Sequence, residues 1–99
     1  MTKNDPLEKT IQRSVVYFAR GLGFLAYKMS SQAQNHLPDY LFVSPYGEIF
    51  FIEFKRLGKM PTVGQQHMIQ QLRARGVDVH IVDRAETGKE IIAHYAAPR

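Results

Sequence analysis

Ser44-Pro45-Tyr46-Gly47 separates two alternating, mainly apolar runs, and no other feature constrains the chain as tightly. Pro45 presets φ for the second position of a type I turn, and Gly47 can take the left-handed conformation that follows it. A type I turn closed by a glycine bulge is a three-residue hairpin loop. It joins a strand over Asp39 to Ser44 with a strand over Glu48 to Lys55. Ser44 then faces Glu48, Val43 meets Ile49, and Asp39 meets Glu53. Residues opposite one another share a face, with Cβ atoms about 5 Å apart. Alternation adds Lys55 to that face and turns Phe50, Ile52 and Phe54 to the other. A slip of one residue would undo the whole arrangement.

The hairpin therefore gathers Asp39, Glu53 and Lys55 where a buried strand should stay apolar. Two carboxylates this close raise each other's pKa unless a cation joins them. Oxygen ligands of this kind suit Mg2+ or Mn2+. A divalent ion brings a phosphate oxygen and a water into reach and stabilises transition-state charge. Lys55 beside it can orient the water or help to deprotonate it. The competing reading is a salt-bridged strand end, because isolated E-x-K tripeptides are common. Pro38-Asp39 on the facing strand and the four apolar residues before Glu53 favour a site.

Elsewhere the periodicity predicts helices and two more strands. Asp5-Pro6-Leu7-Glu8 reads as a helix start, with Asp5 as cap, Pro6 in the first turn and Glu8 at capping-box spacing. Leu7, Ile11, Val15, Phe18 and Leu22 recur at helical spacing, and Gly21 and Gly23 end the helix. Phe24 to Met29 is a strand, and Ser30 to Leu37 a polar loop. Thr62-Val63-Gly64-Gln65 starts a second helix with an apolar face of Val63, Met68, Ile69 and Leu72, ended by Gly76. Val77 to Val82 alternates as a strand, and Glu86 to Ala96 is a helix weakened by Gly88. The order is α-β-β-β-α-β-α, a mixed central sheet flanked by helices in one domain over residues 1–99.

Glu8 has two readings, as the capping-box acid or as a carboxylate reaching the metals from the first helix. Gln65 has the same two, as a cap partner or as a group that orients substrate. The four histidines show no ligand spacing, and no serine has an evident base partner. The absence of cysteine excludes disulfides and thiolate metal sites. The polar N-terminus lacks the apolar core of a signal peptide, so a cytoplasmic, intracellular protein is expected. A net charge of +4 favours an anionic partner, nucleic acid first. Arg13, Lys28, Arg56, Lys59, Arg73 and Arg75 are the candidate phosphate contacts.

At Pro38-Asp39 and Glu53-Phe54-Lys55 the chain resembles the PD-(D/E)xK nuclease superfamily. It is most similar to the VRR-NUC branch, through the ordered set of Glu8 with Gln12, Pro38-Asp39, Glu53-Phe54-Lys55, and Gly64-Gln65 opening a helix. The resemblance spans roughly Pro6 to Ile92 and departs at Leu37, where members often carry glycine. It implies a restriction-endonuclease-like core and a metal-dependent endonuclease acting on DNA. Asp39 and Glu53 would be metal ligands with the Phe54 carbonyl, Lys55 the catalytic lysine, and Glu8 and Gln65 would complete the site. Single-domain members look similar to Holliday junction resolvases, which implies a homodimer acting on four-way or other branched DNA. The alternatives are an inactive nucleic-acid-binding module and a flap- or sequence-directed nuclease of the same superfamily.

Overall fold

The structure, a computed structural model, describes residues 7–29 and 36–98. Its elements are α1 (Glu8–Gly21), β1 (Leu25–Lys28), β2 (Tyr40–Val43), β3 (Ile49–Phe54), α2 (Val63–Ala74), β4 (Asp78–Val82) and α3 (Ala85–Ala96). The strands form one mixed sheet in the order β1-β2-β3-β4. The first two pairings are antiparallel, while β3 and β4 run parallel with α2 as the crossover between them.

The hairpin turn has the chemistry expected of it. Gly47 adopts φ 86°, its N–H donates to the Ser44 carbonyl at 3.0 Å, and the Ser44 N–H donates to the Glu48 carbonyl at 2.8 Å. The buried Ser44 hydroxyl also accepts from the N–H groups of Tyr46 and Glu48. The register then runs from Val43↔Ile49 to Tyr40↔Ile52. One further step sets Asp39 opposite Glu53.

Phe50, Ile52 and Phe54 all point to the face covered by α1 and α3, where they are fully buried with Phe42, Ile11 and Val15. Phe50 stacks on Tyr95 with ring centroids 3.8 Å apart. The Tyr95 hydroxyl, carried into this core, donates to Asp78 Oδ2 and lies 2.9 Å from His80 Nε2. Burial above all pushes the His80 pKa down. His80 thus belongs to a structural network.

Three expectations need correction. Leu7 is the N-cap residue of α1 and makes no side-chain cap, so Glu8 is the first helical residue and not the acid of a capping box. Asp5 and Pro6 lie outside the described residues, as does most of the loop from Ser30 to Leu37. Leu7 and Leu22 are exposed, and α1 packs instead through Ile11, Val15, Val16 and Ala19. Val63 is 83% exposed, and Ile69 is the buried residue of α2. The cause is the same in both helices: spacing sets which residues share a stripe, but only the length that crosses the sheet is covered. α2 packs on β4 alone. Among the described residues no helix is long and apolar enough to cross a membrane.

Gly88 is a packing residue. A Cβ there would meet Val15 Cγ2 at 2.5 Å and Val82 Cγ1 at 3.2 Å, so α3 lies close against α1 and β4 because position 88 has no side chain. Gly88→Ala gains about 1 kcal/mol of helix propensity. Overpacking against two stiff valines costs about 1–3 kcal/mol. We expect a net loss of roughly 1–2 kcal/mol in urea unfolding. The Gly88→Ala/Val15→Ala double variant should lose less than the two single losses combined, because the smaller residue makes room. Strict additivity would contradict the close packing.

Candidate active site

The hydrogen-bonded rungs of the β2–β3 ladder recur at every second residue. Ser44 and Glu48 form one such rung, so the rung after Tyr40–Ile52 pairs Pro38 with Phe54. Pro38 has no N–H to offer, so the Phe54 carbonyl on that side meets no ladder donor. The Phe54 N–H is taken by a side chain: it donates to Asp39 Oδ2 at 2.8 Å. The proline ends the ladder, and the aspartate replaces its last acceptor. Asp39 is thereby held at the end of β3, next to Glu53.

Glu53 is 1% exposed, and Lys55 Nζ stands 3.1 Å from its Oε2. Neither oxygen receives a well-formed hydrogen bond among the described residues. Burial first, then the charge of Asp39, with Glu8 adding, pushes the Glu53 carboxyl up to about 7, while Lys55 opposes the rise. Asp39 is raised chiefly by burial, against the pull of the Phe54 N–H, Lys55 and Lys28. Glu8 is raised by burial and then by Asp39. Three carboxyls thus feel one another, with Lys55 beside Glu53 and Lys28 acting on Asp39.

A buried carboxylate oxygen without a hydrogen-bond donor, a second carboxylate beside it and a carbonyl without a ladder donor fit a hard divalent cation. Among the described residues no three histidine, aspartate or glutamate side chains close into one metal-binding group. Glu8 does border the same groove as Asp39.

No family model matches the chain. A solved structure described as "VRR_NUC domain" superposes with a TM-score of 0.79 at 29% identity, covering 89% of this chain and 96% of that one. The chain is also 36% identical over 76 residues to "Putative nuclease p44" of Acyrthosiphon pisum secondary endosymbiont phage 1, a match over 77% of this chain and 82% of that protein. The chain belongs to the VRR-NUC family of nucleases.

The VRR-NUC fold places the other candidate residues unevenly. Arg13 on α1 and Lys28 at the end of β1 border the groove with Glu8 and Asp39. Arg56 and Lys59 follow β3 directly; Arg56 is half-buried and Lys59 exposed. Arg73 and Arg75 lie at the far end of α2, near the start of β4. Arg73 donates to the Val79 carbonyl, and Arg75 to the carbonyl and side chain of Gln71. Gln65 is a working cap: its N–H donates to Thr62 Oγ1, and its Oε1 accepts the Thr62 N–H. A Cβ on Gly64 would collide with the His36 ring, so the start of α2 lies against the segment that leads into Pro38-Asp39. The Gln65 amide NH2 remains as its free donor within the cap. Spacing did not single out Lys9, Tyr17 or Arg20, which line the same groove.

The buried acid has a thermodynamic consequence. In the unfolded chain the Glu53 carboxyl titrates near 4.5, and in the folded protein near 7. Between these values the folded state holds a proton that the unfolded chain has released, so stability falls as pH rises through this window. In metal-free buffer we expect urea unfolding to show a loss attributable to Glu53 on the order of 3 kcal/mol between about pH 4.5 and 7. Glu53→Gln should remove most of that slope. Equal slopes in the two proteins would mean that Glu53 is not buried and uncompensated in this way.

Proposed function

We propose that this VRR-NUC protein is an endonuclease that hydrolyses DNA phosphodiester bonds with Mg2+ or Mn2+. The observation that carries the reading is the Asp39–Glu53 carboxylate pair, fixed by the Phe54 N–H with Lys55 Nζ 3.1 Å from Glu53. Asp39, Glu53 and the Phe54 carbonyl would hold the ion, with Glu8 as an outer ligand from α1. Bound there, the ion supplies positive charge for the phosphoryl oxygens and acidifies water. Lys55 holds the attacking water through its ammonium and offsets charge on the phosphoryl group. The Gln65 amide is a donor for the same water or for substrate. Arg13 and Lys28 hold the backbone near the site, Arg56 and Lys59 hold it beyond β3, and Arg73 and Arg75 serve substrate that extends past the end of α2.

The enzyme acts inside the cell as a homodimer of single-domain chains on branched DNA, four-way junctions first. A domain of this size covers a modest stretch of nucleic acid, and a two-fold pair sets two sites at a fixed spacing. A four-way junction presents two equivalent strands about its own two-fold axis. On the sheet face opposite α1 and α3, Leu25, Tyr27 and Ile49 are exposed, and Met60 is exposed in the loop before α2. These apolar surfaces support contact with a second copy.

Removing either carboxylate should abolish cleavage and spare binding. Glu53→Gln and Asp39→Asn are expected to lower the cleavage rate by roughly a hundredfold or more, while DNA affinity stays equal or rises, because each acid repels phosphate until a cation neutralises it. Lys55→Arg should fail as well, since a planar guanidinium cannot replace a compact ammonium. Gel assays on labelled junctions with Mg2+, and with Ca2+ for binding alone, read both effects. Wild-type cleavage by either acid variant would remove the assignment.

The assembly is read separately. Light scattering should give twice the monomer mass, and a supercoiled plasmid with an extruded cruciform should yield linear product from paired cuts. A monomer that produces only nicked circles would favour a flap- or nick-directed enzyme.

A further inference from the structure

On its outer side α1 carries a stripe that the catalytic cluster does not use. Lys9, Arg13, Tyr17 and Arg20 follow one another at three- and four-residue spacing and so share a face. They border one wall of an open groove between α1 and the β1–β2 edge, with Lys28 also on its border. One end of the groove is acidic, at Glu8 and Asp39, and cations line the rest. Arg20 is laid across it: Nη2 donates to the Ala26 carbonyl on β1 at 2.9 Å, which leaves its other N–H groups for an anion.

Tyr17 interrupts this basic stripe. It is 82% exposed, and among the described residues it has no hydrogen bond, ion pair or ring contact. On its far side it borders a second, more apolar depression with Phe18, Leu22 and Lys89. The ring therefore stands as a ridge with open space on both sides. Cations that follow a backbone, interleaved with an aromatic ring that no protein group covers, are the composition of a single-strand site.

We propose that Tyr17 is a stacking platform for an unpaired base, in a single-stranded arm or where pairs open at a four-way branch, on a strand that leads away from the cleaved phosphate along α1. This deepens the nuclease reading of the same site and rests on it. In a duplex both faces of each base are already stacked on neighbours, whereas an unpaired base offers its face to Tyr17. The stacking is independent of base identity, because every base has a π-face. Tyr17 lies nine residues beyond Glu8. That is about 13.5 Å along the helix at about 1.5 Å per residue, or about four base steps at a rise of about 3.4 Å. An arm that keeps this stacked spacing reaches the ring with about four nucleotides.

The chain contains no tryptophan, so Tyr17→Trp is a unique fluorescent reporter at this position. Titration without metal, with an oligothymidylate of about eight nucleotides, should quench it, and a blunt duplex of equal length should not. Tyr17→Ala should weaken oligothymidylate binding by about 5- to 100-fold. Tyr17→Phe should keep the affinity, because it retains the ring, and Tyr17→Leu should lose it. On cleavable substrates, Tyr17→Ala should reduce the preference for an arm of about four nucleotides over one of about two. Absence of quenching, or equal affinity in the Ala, Leu and Phe variants, would overturn the inference. The binding titration needs no turnover, so the two readings fail separately. Quenching without cleavage by the wild type with Mg2+ removes the nuclease assignment and keeps the platform. Cleavage without quenching removes the platform alone.

Discussion

The bond from the Phe54 N–H to Asp39 Oδ2 is the contact on which the arrangement of the site depends. Antiparallel strands would ordinarily diverge where a proline ends the ladder. Here the side chain of the aspartate that follows Pro38 accepts the Phe54 N–H in place of the Pro38 carbonyl, so the strands stay together for one more step. The acid is consequently placed at a fixed spacing from Glu53, in the bend just before β2 but tied by its side chain to the end of β3. The same bond favours the charged form of Asp39, which burial disfavours. Glu53 has no such donor, and its buried oxygens are left facing Lys55 and Asp39. A core built only for stability would not keep that arrangement, since a buried carboxylate held by one ammonium leaves acceptor sites unfilled, and a buried polar group left unsatisfied costs about 1–3 kcal/mol. The strain is concentrated where a cation would relieve it.

The sheet and α1 share the work of placing the other groups. The parallel β3–β4 pair extends past Phe54, with the Lys55 N–H donating to the Val82 carbonyl at 2.9 Å. Lys55 therefore leaves the sheet from an anchored backbone. α1 buries Ile11, Val15 and Ala19 against the sheet and α3, and the same helix carries Glu8 and the basic stripe. Any shift of α1 on its core moves both ends of the groove together. The close approach of Gly88 to Val15 and Val82 is thus coupled to the site, although it lies deep in the packing.

What could be read from residue order was whatever local chemistry decides. Gly47 and Pro45 set the turn, the turn set the register, and the register brought Asp39 to Glu53 and Lys55 with no information from elsewhere in the chain. Thr62 and Gln65 close their capping box for the same reason, because both partners lie within one helical turn. Legibility ended where a second element decides the outcome. Helical spacing assigned Leu22 and Val63 to apolar faces, but coverage depends on where the neighbouring layer stops. Gly88 looked like a weak point because propensity counts only its own backbone; its use appears once α1 and β4 are seen against it. The groove with Lys9, Tyr17 and Arg20 was illegible for the same reason, since it exists only through the angle at which α1 crosses the β1–β2 edge.

On the proposed reading, the charge distribution divides the tasks of holding and cutting DNA. The chain carries a net charge of +4, yet Glu8 and Asp39 sit on a groove whose other charged lining is Lys9, Arg13, Arg20 and Lys28, with Glu53 buried close to Asp39. A phosphate backbone is drawn along the cationic part and repelled at the acidic end. On the proposed reading a divalent ion would balance the carboxylates and remove that repulsion: Lys55 contributes one positive charge against Asp39, Glu53 and Glu8. Affinity would then rest on the groove cations, which salt would weaken together. Cleavage would rest on a buried cluster that screening reaches far less. A nuclease organised in this way would hold DNA without cutting it until the cation binds.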